Sequence, residues 1–579
     1  MKSFHVFLCL LVSAAFTVPA WAVEHLALAD ATPGRTGVCV TEMDGGERVE
    51  IPLTVLGTIG SGTPDGEIVL VRLDDPRFEH TGIIAGMSGS PVYLDGRLLG
   101  ALAFGWPFAK EPIGGVTPFA RMLEIEPSPS IAAASERPPF GEIVAAVRAS
   151  ELGKMVVDWL QPEEANRLQP LPLVVGGPWI PSGSGWLAES WRRMGWVGTP
   201  GGASEIEGDA GAITPGSMVA AVLVDGDATI AAAGTVTEVR GDLLWAFGHP
   251  SLGAGAVVMP LARASVVAVM PSVMSSFKFF NVGEPIGALV ADRAPGIMGR
   301  LGQEAPMVPI RVVVDGRAFS FRAVRHPTLL PLLTGYLSHA SQGAFGRTFG
   351  NQTLSTTVEV RYSGEQPASA SAVFAGVQAP AEAAAFATAV VGYFEGSGFA
   401  APEIGSVDIS LDTSEEIRTA NIVEIVPATR VVRPGEELVV RFRMQRHRGG
   451  EEIRTVTLRI PEGVPDGRLD LVGADGAAWT VYDLQMRPFE PSSFADEVRL
   501  VNSLVPSDTL VAALERRDLG MVVSGGSLSA PPSLVLQLRS ALGPNLETTA
   551  YSVFAKTEVE VPYRVTGAQR ISITVRSRE

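Results

Sequence analysis

Gly86-Met87-Ser88-Gly89-Ser90-Pro91 stands between two runs that read as strands, and its interpretation decides the rest of the chain. Upstream lies Glu67-Ile68-Val69-Leu70-Val71-Arg72-Leu73; downstream, Pro91-Val92-Tyr93-Leu94 passes through Asp95-Gly96 into Leu98-Leu99-Gly100-Ala101-Leu102. Asp-Gly between apolar segments predicts a two-residue hairpin, because both turn positions want positive φ. A serine flanked by glycines at a strand entrance has a chemical use. The glycines let successive N–H groups turn toward one point while the hydroxyl faces the same point, the layout of a nucleophile beside an oxyanion hole. Taken bare, the motif is also satisfied by a plain Gly/Ser turn, so its neighbours carry the decision.

Working outward, residues 37–126 hold short apolar runs at 51–59, 68–73, 91–94 and 98–104, each bounded by turn residues. Such punctuation predicts half of an all-β barrel. Residues 127–216 break the pattern with a Pro-, Ser- and Ala-rich linker, helical spacing over 142–160, and a crowd of tryptophans: Trp159, Trp179, Trp186, Trp191 and Trp196. Packing of an inserted subdomain onto a barrel accounts for that crowd; a groove for extended peptide or glycan is the functional alternative. From Met218 the β pattern returns, with strands expected over 218–224, 228–238 and 243–247 and a turn at Arg240-Gly241-Asp242. His249 follows the third strand, held out of helical geometry by Pro250. Ser275-Ser276-Phe277-Lys278-Phe279-Phe280 reads as an amphipathic edge strand with its lysine toward solvent. An Ala-rich helix is expected over 381–394, and period-two strands over 422–426, 436–444 and 454–460.

The composition excludes several classes. Across 579 residues, 45 Lys+Arg against 62 Asp+Glu leave a net charge of −17 with no basic block, which argues against nucleic acid as a partner. Met1-Lys2, an apolar run over 6–18 and Ala20-Trp21-Ala22 read as a cleavable secretory signal peptide, too short to span a bilayer. No integral membrane span is expected after its removal, so the mature chain is expected to be exported, to a periplasm or to the cell surface and beyond. Cys9 leaves with the signal, and Cys39 is left alone as a small buried apolar residue with no disulfide partner. No spacing of His, Cys, Asp or Glu suits a metal, and no dinucleotide fingerprint follows a strand, so no metal and no cofactor is expected.

Beyond the hexapeptide, Asp75-Pro76, Thr81-Gly82-Ile83, Gly100-Ala101, Gly115-Val116-Thr117-Pro118 and Met122-Leu123, with a second block Leu244-Trp245-Ala246-Phe247-Gly248-His249-Pro250, carry a likeness. Together they resemble the SpoIVB peptidase family, serine endopeptidases with a chymotrypsin-like core, over roughly residues 36–125 and 215–300. The resemblance implies Ser88 as nucleophile, His249 as base and Asp75 as the acid that holds it, with the backbone N–H groups of Gly86 and Ser88 as oxyanion donors. It implies a protein or peptide substrate and selective, regulatory cleavage. Here the serine block precedes the histidine block, the reverse of the family, an order that a site between two barrels tolerates. His80 is a rival base, Asp74 and Asp242 are rival acids, and Ser275 or Ser276 with Lys278 would make a different dyad. A catalytically silent binding or scaffold protein of the cell envelope on the same fold is the alternative reading.

The expected fold is mainly β. Residues 1–22 are the signal peptide. Residues 23–126 and 217–412 are the serine-bearing and histidine-bearing halves of a chymotrypsin-like double β-barrel, the latter with a following β/α region; 127–216 are the inserted Trp-rich segment. An immunoglobulin-like β-sandwich over 413–470 and an α+β piece over 471–579 complete the chain, and these C-terminal domains are expected to meet any envelope partner. Deleting residues 1–22 is expected to leave a folded chain in the cytoplasm, since Cys39 needs no oxidising partner; a requirement for disulfide chemistry during refolding would contradict this.

Overall fold

The computed structural model describes residues 25–60, 66–126, 137–159, 171–176, 186–193, 196–203, 212–345, 350–399, 402–487, 489–517 and 551–577, with short pieces between 520 and 549. The expected signal peptide and Trp179 lie outside these residues. Six strands close a barrel in the order β1-β2-β3-β6-β5-β4: β1 (Thr36–Glu42), β2 (Arg48–Ile59), β3 (Ile68–Leu73), β4 (Ser90–Leu94), β5 (Arg97–Phe104) and β6 (Ile113–Pro118). Asp95 and Gly96 both take positive φ, 49° and 74°, and join β4 to β5 as the Asp-Gly pattern predicts. Alternate residues fill the interior, among them Ile51, Leu53 and Val55 on β2 and Val69, Val71 and Leu73 on β3. Cys39 is fully buried in the same core. Between β3 and β4 lies one short helix, α1 (Pro76–Thr81). A second, α2 (Phe119–Met122), follows β6.

The inserted segment supplies α3 (Phe140–Ala149), α4 (Leu152–Trp159), β7 (Leu171–Gly176), α5 (Trp186–Arg193) and β8 (Trp196–Ala203). Ser150, at φ 58°, breaks the single helix expected over 142–160 into two. Next come β9 (Met218–Gly226), β10 (Thr229–Arg240), β11 (Leu243–Ala246), β12 (Gly255–Met270), β13 (Phe277–Arg293) and β14 (Gly296–Leu301). Their antiparallel pairings run β9–β10–β11–β14–β13–β12 and return to β9. From β9 the sheet continues through β16 (Arg317–Val324), β15 (Met307–Val314), β19 (Ile404–Ser414), β17 (Gln352–Tyr362) and β18 (Ala368–Gly376).

Two apolar helices, α6 (Leu329–Phe345) and α7 (Ala379–Glu395), pack together on this extension. The insert docks on them. Trp186 donates its indole N–H to Ala381 O at 2.9 Å, and the Trp191 ring lies 5.2 Å from Tyr336. Trp159 lies over Gly392 and Trp186 over Gly153, where a Cβ would stand 2.8 Å from each ring. These three tryptophans are packing residues.

The remaining strands form a sandwich. One sheet runs β23-β22-β20-β30, from β20 (Thr419–Pro427), β22 (Glu437–Arg446), β23 (Glu451–Arg459) and β30 (Arg564–Thr566). The other runs β21-β31-β24-β25-β29, from β21 (Val431–Val432), β24 (Gly467–Asp475), β25 (Thr509–Arg516), β29 (Ser552–Glu560) and β31 (Ala568–Val575). Leu438, Val440, Phe442, Leu471, Leu510 and Ile573 fill the space between them. Helices α8 (Gly476–Met486) and α9 (Phe494–Asn502) and a small sheet of β26 (Gly520–Val523), β27 (Gly526–Leu528) and β28 (Leu546–Thr549) interrupt its chain. The expected boundary at 470 therefore falls inside β24, whose partners β25 and β31 both lie beyond it in the chain. A sheet needs partners for both strand edges, and here the far end of the chain provides them.

What positions the site is the seam between barrel and sheet. Thr235 N donates to Ser88 O (2.7 Å), Thr235 Oγ1 to Gly86 O (3.0 Å) and Thr237 Oγ1 to Gly89 O (2.7 Å), so β10 grips the hexapeptide along its length. From the barrel side, Gly89 N donates to Leu102 O and Thr117 Oγ1 to Gly248 O. Gly89 has φ 98°, and a Cβ there would stand 1.8 Å from Thr235 O and 2.5 Å from Phe247 N. No side chain fits. Gly89→Ala is expected to cost about 3 kcal/mol or more, whereas Gly34→Ala, at φ 84° with open space around it, should cost only about 1 kcal/mol; denaturant titration of both variants checks the difference.

Candidate functional site

The hexapeptide forms a turn entering β4, and Ser88 sits half-buried on its outer side. Two peptide units matter, because the C=O and N–H of a trans peptide point in opposite directions. In the unit before Gly86, the Ala85 carbonyl accepts from Lys278 N at 3.1 Å. In the unit before Ser88, the Met87 carbonyl accepts from Ser90 N (2.8 Å) and from Ser90 Oγ (2.6 Å). Both planes are thus pinned from behind. The N–H groups of Gly86 and Ser88 point the other way and take no partner among the described residues. Buried backbone N–H groups are nearly always paired, so two such donors beside one hydroxyl make a site for an incoming oxygen. Gly86 needs its φ of 99° for this turn, and the Lys278 stem fills the space beside it.

His249 is half-buried just beyond β11, on the sheet side of the seam. Its loop is brought to the serine loop through Phe247, whose N–H donates to Thr235 O, the residue that also holds Ser88 O. Phe247 and Gly248 both have left-handed φ, 70° and 72°, which for phenylalanine is a strained conformation held by the surrounding contacts. The imidazole lies between Phe104 and Phe247, with ring centroids 6.5 and 6.3 Å away. Its Nδ1 is 2.8 Å from the Pro250 carbonyl. A carbonyl only accepts, so Nδ1 carries the proton, and Nε2 is the nitrogen with the lone pair.

Asp75 has a different use from the expected one. It is the N-cap of α1, accepting from Arg77 N at 2.9 Å and pairing with the Arg77 guanidinium at 2.6 Å; that hydrogen bond holds its carboxyl below the usual range. A residue ahead of a Pro-initiated helix is where a cap belongs, and Asp-Pro carries that signal in sequence. Among the rivals, Asp74 bonds to Thr54 and Arg72, Asp242 pairs with Arg300 on the surface, and His80 is exposed in the last turn of α1. The carboxylate that serves the histidine loop is Asp292. It is buried on β13 and accepts from the N–H groups of Ser251 (2.7 Å), Leu252 (2.7 Å) and Ala254 (3.2 Å). Burial raises its carboxyl, and those N–H donors oppose the rise. No local pattern singles it out, since it acts across a strand pair.

Lys278 is the largest departure from expectation. It is 2% exposed rather than solvent-facing, and its Nζ donates to Thr41 Oγ1 (2.9 Å) and Glu42 O (2.6 Å) on β1. A hairpin parity one step from the assumed one moves every side chain to the other face: Ser276, Lys278 and Phe280 point inward and Phe277 and Phe279 are half-exposed. Ser276 Oγ donates to Thr81 O, so neither serine–lysine dyad partner faces the other's function. The Glu42 carboxylate, raised by burial, accepts in turn from Met218 N and Val266 N. Burial also pushes the Lys278 ammonium down to about 8 and the nearby Cys39 thiol up to about 12.

Among the described residues no three His, Cys, Asp or Glu side chains are grouped to hold a metal, and no helix is long and apolar enough to cross a membrane. Comparison with protein-family models, with curated proteins and with solved structures finds no match to this chain.

Because the folded chain disfavours the charged form of Lys278, the unfolded chain binds more protons between the two pKa values. The contribution of Lys278 to stability therefore rises with pH across the window from about 8 to about 10.5. The stability of the parent relative to Lys278→Met is expected to climb through that window by on the order of 3 kcal/mol; the difference cancels the opposing titration of Cys39. A flat difference would show that the lysine is not buried as a cation.

Proposed function

We propose that this chain is an exported serine endopeptidase of SpoIVB type, cleaving a protein substrate through an acyl-enzyme. The observation that carries the reading is the pair of pinned, unpartnered N–H groups of Gly86 and Ser88 beside the Ser88 hydroxyl. In this reading His249 Nε2 takes the hydroxyl proton as Ser88 Oγ attacks the scissile carbonyl carbon. The oxygen that becomes negative moves into the two N–H donors, whose planes need no reorganisation. Collapse expels the amine, which leaves with the proton from His249, and water then attacks the acyl-serine by the same route. The Pro250 carbonyl keeps the imidazole in the working tautomer, and Asp292 braces the loop that carries it.

The ring of six antiparallel pairings from β9 to β14, facing the closed barrel across the seam, supports a chymotrypsin-like double barrel. Its serine-bearing barrel comes first in sequence. The basic start, apolar run and Ala-x-Ala ending support export to a periplasm or the cell surface. A silent binding protein on the same core is the second reading, favoured by one observation, the engagement of Asp75 with Arg77 rather than with the histidine loop.

Purified mature protein is expected to react with a fluorophosphonate probe, and Ser88→Ala should abolish labelling. His249→Ala should slow it by about a thousandfold. Ser90→Ala should keep labelling on Ser88 but slow it by about tenfold, because the Met87 carbonyl loses one of its two anchors. Asp75→Asn, which caps a helix as well as Asp does, should stay within about threefold of the parent. Failure of the folded parent to react would favour the binding protein.

A further inference from the structure

Beside the serine loop, two tips present apolar side chains to solvent. The β5–β6 connection contributes Trp106 and Phe108, and the β12–β13 hairpin contributes Met270, Val273 and Met274. Phe108 is 69% exposed and Val273 89%, values that a monomer's core-forming residues do not reach. The tips form one surface, because Phe108 N donates to Met274 O across them. Along β13 the parity that buries Lys278 turns Phe277 and Phe279 outward, and their rings meet edge-on at 5.0 Å. Large aromatic and thioether side chains gathered at adjoining tips mark an interaction site rather than scattered exposure.

This surface is continuous with the site. Ala85, three residues before Ser88, donates its N–H to Ser276 O at 2.8 Å and accepts from Lys278 N, so the hairpin that bears the apolar tip also holds the oxyanion turn. On the other side, Phe104 lies against the His249 ring, and Trp106 follows two residues later. A chain seated at Ser88 and running outward meets these side chains first. We propose that the paired tips dock an apolar, extended polypeptide segment and so select protein substrates that carry one next to the bond to be cut. The inference deepens the peptidase reading and rests on it for the word substrate; the docking itself rests on the surface. The net charge of −17, with Lys110 the single cation between Trp106 and the start of β6, offers no attraction to an anionic bilayer, which favours a polypeptide over a lipid surface.

The test uses the mature chain carrying Ser88→Ala, so that nothing is turned over. Two fluorescein-labelled peptides are compared by anisotropy, one with Leu, Val and Phe at alternate positions and one with Ser and Thr in their place. The apolar peptide alone is expected to bind, and Phe108→Asp with Val273→Asp should weaken it at least about tenfold. Met274→Ser, a milder change, should weaken it in the same direction. The Phe108/Val273 variant should match the parent in far-UV circular dichroism and in thermal unfolding midpoint, which shows that it is folded. Unchanged peptide affinity in both variants would overturn the proposal. So would patch-dependent cosedimentation with phosphatidylcholine vesicles in the absence of peptide binding. Patch-dependent peptide binding in a parent that fluorophosphonate never labels would sustain the docking surface and remove the peptidase reading.

Discussion

Thr235 is held on one side by the serine loop and on the other by the histidine loop, and the arrangement of the site depends on that double engagement. Its N–H and hydroxyl fix the carbonyls of Ser88 and Gly86, while its own carbonyl receives Phe247 N. A single residue of β10 therefore sets the distance between two segments more than a hundred and fifty residues apart in sequence. Each bond is worth only about 1 kcal/mol net, but leaving one unmade inside the seam costs about 1–3 kcal/mol, so slippage is penalised several times over. The same closeness explains the backbone around it. Gly89 has no room for a Cβ, and Phe247 holds a φ that phenylalanine avoids.

A second tie crosses the seam below the first. Lys278 from the hairpin reaches Thr41 and Glu42 on β1, and the Glu42 carboxylate reaches back to Met218 and Val266 on β9 and β12. Burying a lysine and a glutamate is expensive, and such groups are poor sources of net stability. They are demanding about geometry, however. Each donor must meet its acceptor, which leaves one register of hairpin against barrel. With Lys278 inside, period two sends Phe277 and Phe279 outward, and the apolar surface beside Ser88 is a direct consequence.

The electrostatics of the site are those of a backbone-built one. The donors left open beside Ser88 are the peptide N–H groups of Gly86 and Ser88, the histidine tautomer is set by the Pro250 carbonyl, and the buried carboxylate Asp292 acts on N–H groups of the loop rather than on the imidazole. Asp75 is spent on capping α1 and on Arg77. Its Asp-Pro context fits both a helix cap and the acid that the resemblance implies, and the bonds to the Arg77 backbone and guanidinium are those of a cap.

Local chemistry was readable from the sequence where it depends on local geometry. The Asp95-Gly96 hairpin, the alternating strands of the first barrel, the apolar helix α7, the burial of Cys39 and the glycine-framed turn around Ser88 all follow from φ preferences and period-two or 3.6 patterns. The tertiary structure decided whatever depends on which strand lies next to which. It turned Lys278 inward, because a buried acceptor set on β1 was waiting for it. It ran the C-terminal sandwich through residue 470, because β24 finds its partners in β25 and β31. It gave Asp292 to the histidine loop and Thr235 to both loops, through hydrogen bonds whose partners are far apart in the chain. Propensity is a property of a residue and its near neighbours, whereas the partner of a buried polar group is chosen by the fold.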